Sequence, residues 1–191
     1  MRIPVPSTES AAKNARKLAS VTFGPRSCEL WLRSELLSWL HSASHQVPRT
    51  IDLIVLHCTD TRPSQNFTLE KLAASHRARG FGKCPGYHFY VRRDGTLYYC
   101  RPLSIAGCHV KGYNANSIGV CYEGGHREDE PPLDRKYEDN RTAEQQVTLH
   151  ELLCTLHELF PEARICGHRD LPGVAKACPC FDAEKEYAYI L

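Results

Sequence analysis

The sequence predicts an α/β fold, a mixed central β-sheet flanked by helices in a single domain, with an N-terminal extension that carries one helix. Three observations lead there. Short, β-branched apolar runs alternate with segments of helical period, the pattern of strands and helices interleaved around a sheet. One pair of runs is joined by an Asp-Gly turn, which makes a hairpin and so brings antiparallel pairing into the sheet. A length of 191 residues accommodates one domain with a full core and an appendage. The expected division is an extension over 1–50 and a domain over 51–191.

Residues 1–26 are polar and contain Pro4, Pro6 and Pro25, which suits a loosely held segment. From Cys28 to His41 the period is helical, with Leu32, Leu36, Trp39 and Leu40 on one face and Ser27 as N-cap. Ile51 to His57 is short and almost wholly apolar, a buried strand. Thr68 to Arg79 reads as a helix capped by Thr68 and stopped at Gly80. Strands are expected over Gly86–Arg92 and Thr96–Cys100, joined by Arg93-Asp94-Gly95, and again over Ser117–Glu123. Gly124 to Arg141 is charged, aperiodic and contains Pro131-Pro132, a surface loop. Thr142 to Gln145 has the capping-box pattern and opens a helix to Phe160 whose buried stripe is Leu149, Leu152, Leu153, Leu156 and Leu159. Arg164–Cys166 is a short strand, followed by a loop rich in Pro, Gly and Cys to Phe181.

A formal net charge of +2 argues against a nucleic-acid binder, which would carry a basic stripe. No apolar run reaches the ~18 residues of a membrane span. The N-terminus lacks the apolar core of a secretory signal peptide. The expectation is therefore a monomer made in the cytoplasm. It would act on a substrate outside after lysis or by a non-classical route, or on a substrate within the cytoplasm. Ten cysteines would suggest disulfides in a small secreted chain, but here most are expected to be reduced core residues, with Cys58, Cys121, Cys154 and Cys166 in apolar surroundings.

Chemistry gathers at strand ends and loops. His57 closes the first apolar strand, and His168 and Cys178 lie in the Pro- and Cys-rich loop. Two imidazoles and a thiolate suit zinc, and three protein ligands leave a fourth position open, as catalytic sites do. Each residue has an ordinary alternative. A strand-end histidine can be structural, and Cys-Pro-Cys can be buried thiols or a redox pair.

The surrounding words sharpen this. They are Ile54-Val-Leu-His57-Cys-Thr, Gly86-Tyr-His-Phe89, Arg92-Arg-Asp-Gly95, Gly112-Tyr-Asn-Ala-Asn-Ser-Ile-Gly-Val-Cys121, and the block from Gly167-His-Arg-Asp through Ala177-Cys-Pro-Cys-Phe-Asp182. In this order, from about Ile51 to Asp182, the chain resembles the type-2 N-acetylmuramoyl-L-alanine amidases. That family includes amidase-type phage lysozymes and is related to peptidoglycan recognition proteins. The resemblance implies a mixed sheet with packed helices, a zinc ion held by His57, His168 and Cys178, and catalytic help from Tyr87 and Lys176. It implies cleavage of the amide between the lactyl group of N-acetylmuramic acid and L-alanine, in peptidoglycan or muropeptide.

Zinc lowers the pKa of a bound water from 15.7 to about 7, which provides an attacking hydroxide at neutral pH. The oxyanion of the tetrahedral intermediate then needs charge and donors, which Lys176 and the Tyr87 hydroxyl can supply at roughly 3–4 kcal/mol each. Where some relatives have a glutamate base, this chain has Cys121, as the phage lysozyme branch does, and Glu123 lies two residues on. The base stays open between Tyr87, Glu123 and the hydroxide itself.

Other features carry less. His150-Glu-Leu-Leu-Cys154 is a broken His-Glu-x-x-His helix, better read as a surface helix. His88 should face away from Tyr87 by strand alternation. The resemblance puts His109 and Asn114 beside the cleft, where substrate contact and plain loop structure are equally consistent. For His76, Arg77 and Arg79, contact with anionic glycan and a solvated helix end near its negative pole are equally consistent. Two other functions compete: a module that binds peptidoglycan without cutting it, which members of that kind reach by losing the zinc cysteine, and a thiol redox protein.

Overall fold

The computed structural model describes residues 29–30, 39–40, 47–129 and 136–190. Among them a six-stranded sheet runs in the order β1-β4-β3-β5-β2-β6. The strands are β1 (Glu29–Leu30), β2 (Leu53–Cys58), β3 (Phe89–Val91), β4 (Leu97–Tyr99), β5 (Ser117–Tyr122) and β6 (Arg164–Gly167). Two helices pack on it, α1 (Leu69–Ala78) and α2 (Ala143–Leu159), and a short α3 (Ala183–Glu186) follows.

The apolar run Leu53–Cys58 forms β2, which lies between β5 and β6 and is parallel to both, with all six residues buried. Complete burial is why this strand is apolar at every position but His57 rather than at alternate ones. β3 pairs with β5 in parallel and with β4 antiparallel, so the sheet is mixed, as the Asp-Gly turn requires. In that turn Gly95 has φ +79, a conformation that a residue with a Cβ adopts only at a cost.

Alternation sends Ile54, Leu56 and Cys58 to one face of β2. There they meet Leu149, Leu152, Leu153 and Leu156 of α2 in the largest cluster. At roughly 1.5–3 kcal/mol for each fully buried aliphatic side chain, this stripe is the principal reason α2 docks where it does. The helix starts at Thr142, whose side chain accepts from Gln145 N–H, with Gln145 reaching back to Thr142 N–H. Leu53 and Val55 take the other face, with Val110, Cys166 and Leu171. His57 continues on that side. α1 closes the same side of the sheet over Tyr90 and Cys121 through Leu69 and Leu72.

The helix expected over Cys28–His41 does not hold at Glu29 and Leu30. Glu29 and Leu30 form β1, paired antiparallel with Tyr99 and Tyr98, while Trp39 and Leu40 are helical. The backbone hydrogen bonds offered by the edge of β4 override local helical preference at Glu29 and Leu30. Leu40 is fully buried and Trp39 packs against the Tyr99 ring at 5.1 Å. The rest of that expectation falls outside the described residues, as does the expectation for 1–26.

The Gly124–Arg141 segment is less peripheral than its composition suggests. Gly124, Gly125 and Arg141 are buried, Thr61 bridges to Gly125, and His126 bridges to Tyr137. Arg141 is held by Asp139 and Glu186 and stacks over the Phe181 ring. Among the described residues no helix is long and apolar enough to cross a membrane.

Candidate active site

β2, β5 and β6 run parallel, so their C-terminal ends share one edge of the sheet, the usual location for ligands in such architectures. His57 stands at the end of β2, in register with Cys121 of β5. His168 begins the turn that follows β6. That turn is pinned at one end by Gly167 N–H donating to Asp170 Oδ2 at 2.7 Å. Arg169 N–H donates to the Cys178 carbonyl at 2.8 Å, which draws the Cys-rich loop back against His168. Tyr122 O–H donates to the Pro179 carbonyl at 2.6 Å and fixes the loop from the β5 side.

Three candidate ligand atoms converge as a result. One atom each from His57, His168 and Cys178 lies within 4.8 Å of the others. His57 Nδ1 is 3.8 Å from Cys178 Sγ, and the two imidazole centroids are 4.6 Å apart. Tetrahedral zinc bonds to imidazole and thiolate would set ligand atoms roughly 3.5 Å apart. The donor set and spacing therefore fit a divalent cation with small side-chain adjustments. Burial, then His109, His168 and Lys176, hold the His57 imidazole well below its usual range. Burial and Lys176 bring His168 down to about 4. Both rings are thus neutral at physiological pH, the form a metal needs. The hydrogen bond with the Cys58 thiol and burial push the Cys178 thiol up, and a divalent cation inverts that preference by displacing the proton.

The group sits in a cleft of about 680 Å³. Tyr87 lies against it, its ring 5.0 Å from His57 and 5.1 Å from His76. Burial, then the thiols of Cys121, Cys178 and Cys58, raise the Tyr87 phenol well above its usual value. It is therefore a hydrogen-bond donor at neutral pH, not a phenolate. Lys176 is exposed on the cleft wall. His109 and Asn114 also line the cleft. His109 Nδ1 is 3.0 Å from His57 Nε2, and Asn114 Oδ1 accepts from the His109 and Val110 N–H groups at 2.9 and 3.0 Å.

Glu123 has a different occupation. It is 1% exposed, and its carboxylate accepts from Phe67 N–H, Arg93 N–H and the Arg92 guanidinium. It does not line the cleft. His88 is fully buried, with Nδ1 accepting from Gly119 N–H at 3.0 Å. The expectation that it faces away from Tyr87 does not hold in its simple form, because both rings border His109. β3 begins only at Phe89, so the pleat rule does not govern residues 87 and 88. His76 is not a solvated helix-end residue. It is 4% exposed on the inner side of α1, where Nδ1 accepts from Gly86 N–H at 2.8 Å. His150 and Cys154 contact each other at 3.8 Å outside the ligand group.

Some cleft residues escaped the sequence reading. Asp60, Lys111 and Tyr137 line the walls. Tyr137 comes from an aperiodic segment, and its place depends on the bridge to His126, which no local pattern announces. The nine cysteines among the described residues are free thiols. Cys58 and Cys180 share a thiol hydrogen bond at 3.6 Å and are not linked as a disulfide.

Fold and cleft together define a mixed-sheet protein with a candidate metal centre at the carboxyl edge of the parallel strands. The sequence profile of N-acetylmuramoyl-L-alanine amidases matches residues 47–181. The endolysin of Escherichia phage T7 is 38% identical over 136 residues, spanning 70% of this chain and 83% of that relative. Among solved structures, the endolysin and N-acetylmuramoyl-L-alanine amidase LysCS of Clostridium intestinale is 29% identical with a TM-score of 0.60, covering 74% of this chain and 84% of that one. PGRP-SA of Apis mellifera is 20% identical with a TM-score of 0.55 over 74% of this chain and 84% of that one, a likeness of fold alone. The chain belongs to the N-acetylmuramoyl-L-alanine amidase family.

Proposed function

We propose that this peptidoglycan amidase cuts the bond between the lactyl group of N-acetylmuramic acid and L-alanine, using a zinc ion held by His57, His168 and Cys178. The observation that carries the reading is the meeting of those three ligand atoms within 4.8 Å, in a cleft that Tyr87 and Lys176 also line. When bound, zinc supplies Lewis acidity and a water acidic enough to ionise near neutral pH.

The chain's own groups do the rest. The Tyr87 hydroxyl, kept protonated by burial, donates to the oxygen that gains negative charge as the amide carbonyl becomes tetrahedral. The Lys176 ammonium stands at the same wall and stabilises that charge. Arg79, Lys111 and Lys176 make the rim cationic, which suits the carboxylates of a stem peptide. His109 and Asn114 remain candidate substrate contacts at the rim. Glu123 is committed to Arg92 and two backbone amides, which disfavours it as the proton-transfer base. Like its endolysin relatives, the protein would meet its substrate in the cell wall, after release from the cell that makes it.

The test is digestion of purified peptidoglycan followed by mass spectrometry. Zinc-replete protein should release stem peptides with a free amino-terminal L-alanine and leave muramic acid on the glycan. Chelation should abolish release and added zinc restore it. Absence of such peptides across pH 6 to 9 would reject the reading.

A further inference from the structure

His109 stands behind His57, on the side opposite the atom that faces Cys178. Its Nδ1 is 3.0 Å from His57 Nε2, with the ring planes at 87°. Its Nε2 is 3.3 Å from Ser117 Oγ, and the Ser117 hydroxyl donates to the Tyr113 carbonyl at 2.7 Å. These contacts fix the protons. A carbonyl only accepts, and a serine hydroxyl has one proton to give. With that proton on Tyr113, Ser117 Oγ must accept from His109, so the His109 proton sits on Nε2. His109 Nδ1 is then a lone pair, and it holds the His57 proton on Nε2. His57 Nδ1 is left unprotonated, and that is the atom 3.8 Å from Cys178 Sγ.

The slot around His109 is equally specific. A Cβ at Gly119 would come within 2.7 Å of the ring, and one at Gly107 within 2.3 Å. Both positions leave room for this imidazole only because they lack side chains. Asn114 Oδ1 anchors the backbone of His109 and Val110 from below. The ring is therefore set by β5, by the 107–110 loop and by the turn at Asn114.

We propose that His109 is a positioning residue: through the chain Tyr113 carbonyl–Ser117–His109 it fixes the tautomer and ring orientation of His57, so that Nδ1 is presented to the metal. This rests on the zinc reading above. It gives His109 a role that does not need contact with substrate. Partners behind a metal-binding histidine typically change metal affinity by roughly 10–100-fold when removed.

The experiment has two arms. The first reads the His57 tautomer by nitrogen-15 NMR in the protein without added metal, where Nε2–H is expected, and Nδ1–H would overturn the proposal. The second measures zinc affinity by chelator competition, together with the visible spectrum of the cobalt-substituted protein. His109→Phe fills the slot without an acceptor and should weaken metal binding roughly 10–100-fold. His109→Asn places an acceptor where Nδ1 stood and should recover much of that loss. Ser117→Ala, which touches no metal ligand, should shift affinity in the same direction by a smaller factor. If His109→Phe does not fold, the ordering of wild type, His109→Asn and Ser117→Ala decides the matter. Unchanged affinity and cobalt spectra in all variants, with only KM moved, would make His109 a substrate contact and sink the relay. Failure of the wild type to bind zinc would defeat the zinc reading instead, while the tautomer measurement still reports on the relay.

Discussion

The backbone N–H of Cys58 donates to the sulfur of Cys178 at 3.2 Å. This bond joins the residue after His57 to a loop 120 positions further on, so two of the three candidate ligands share one support. A donor aimed at the sulfur also favours thiolate over thiol there. The ligand geometry is thus a tertiary property, assembled only when β2, β6 and the Cys-rich loop have come together.

Metal removal should accordingly cost stability as well as activity. A ligand that binds the folded state alone at a hundred times its Kd stabilises by about 2.7 kcal/mol, and for a domain of this size that is a shift of roughly 5–10 °C in Tm. Scanning calorimetry under reducing conditions should show chelator lowering the wild-type Tm by such an amount, with no chelator effect in Cys178→Ser. Equal chelator shifts in the two proteins would place the metal elsewhere.

Tyr87 and Lys176 should separate from the fold in kinetic measurements. Tyr87→Phe keeps the ring that packs on His57 and His76 and removes only the hydroxyl. Lys176 is exposed, so Lys176→Ala leaves the core untouched. Each change should lower kcat roughly 100–1,000-fold, the usual effect of losing one donor to a developing oxyanion. The Tm of Lys176→Ala should match the wild type. A loss confined to KM would make these residues substrate contacts.

Glu123→Gln should do the reverse. The carboxylate is buried and pairs with Arg92 while accepting two backbone N–H groups. Breaking a buried pair by neutralising one partner costs on the order of 3 kcal/mol, visible as a lower urea midpoint. Turnover per folded molecule should stay at the wild-type level. A kcat that falls in proportion to nothing but the lost charge would restore Glu123 as the proton-transfer base.

How much of this was legible beforehand follows from the range of the forces involved. β2 and α2 were readable because burial writes itself into local pattern, a continuous apolar run in one and a leucine stripe in the other. The candidate ligand types were readable because His57, His168 and Cys178 sit at strand ends and in a Cys-rich loop. Their convergence was carried only by the family resemblance and not by spacing, since it depends on Arg169 N–H reaching the Cys178 carbonyl and on Tyr122 reaching Pro179. Glu29 and Leu30 read as helix because their partner, β4, lies about seventy residues away in sequence. His76 read as solvent-facing because helical period gives a face without saying what packs there, and here it is Tyr87 and Phe81.

His76 also supplies a pH dependence with a definite sign. Burial, then Arg79 and Arg101, push its imidazole down to about 4, and Gly86 N–H requires its Nδ1 lone pair. Tyr87 and Phe81 face it as rings. His88 moves the same way, down to about 3, through burial and Arg49, with Arg101 adding to the shift and the Ile105 carbonyl opposing it. In the unfolded chain both titrate near 6.5. The unfolded state therefore binds more protons between these values, and stability rises with pH across that window. The contribution is fully present above about 6.5 and is lost as pH falls from there toward 4. His57 and His168, also held neutral, act in the same sense, so the wild type alone cannot isolate His76. His76→Asn can, because its side-chain oxygen still accepts from Gly86 N–H and carries no titrating group. Urea unfolding of metal-free protein at pH 7.5, 6.0 and 5.0 should show the wild type losing stability more steeply than the variant below 6.5. Parallel profiles would mean that His76 keeps an ordinary affinity for protons in the folded state.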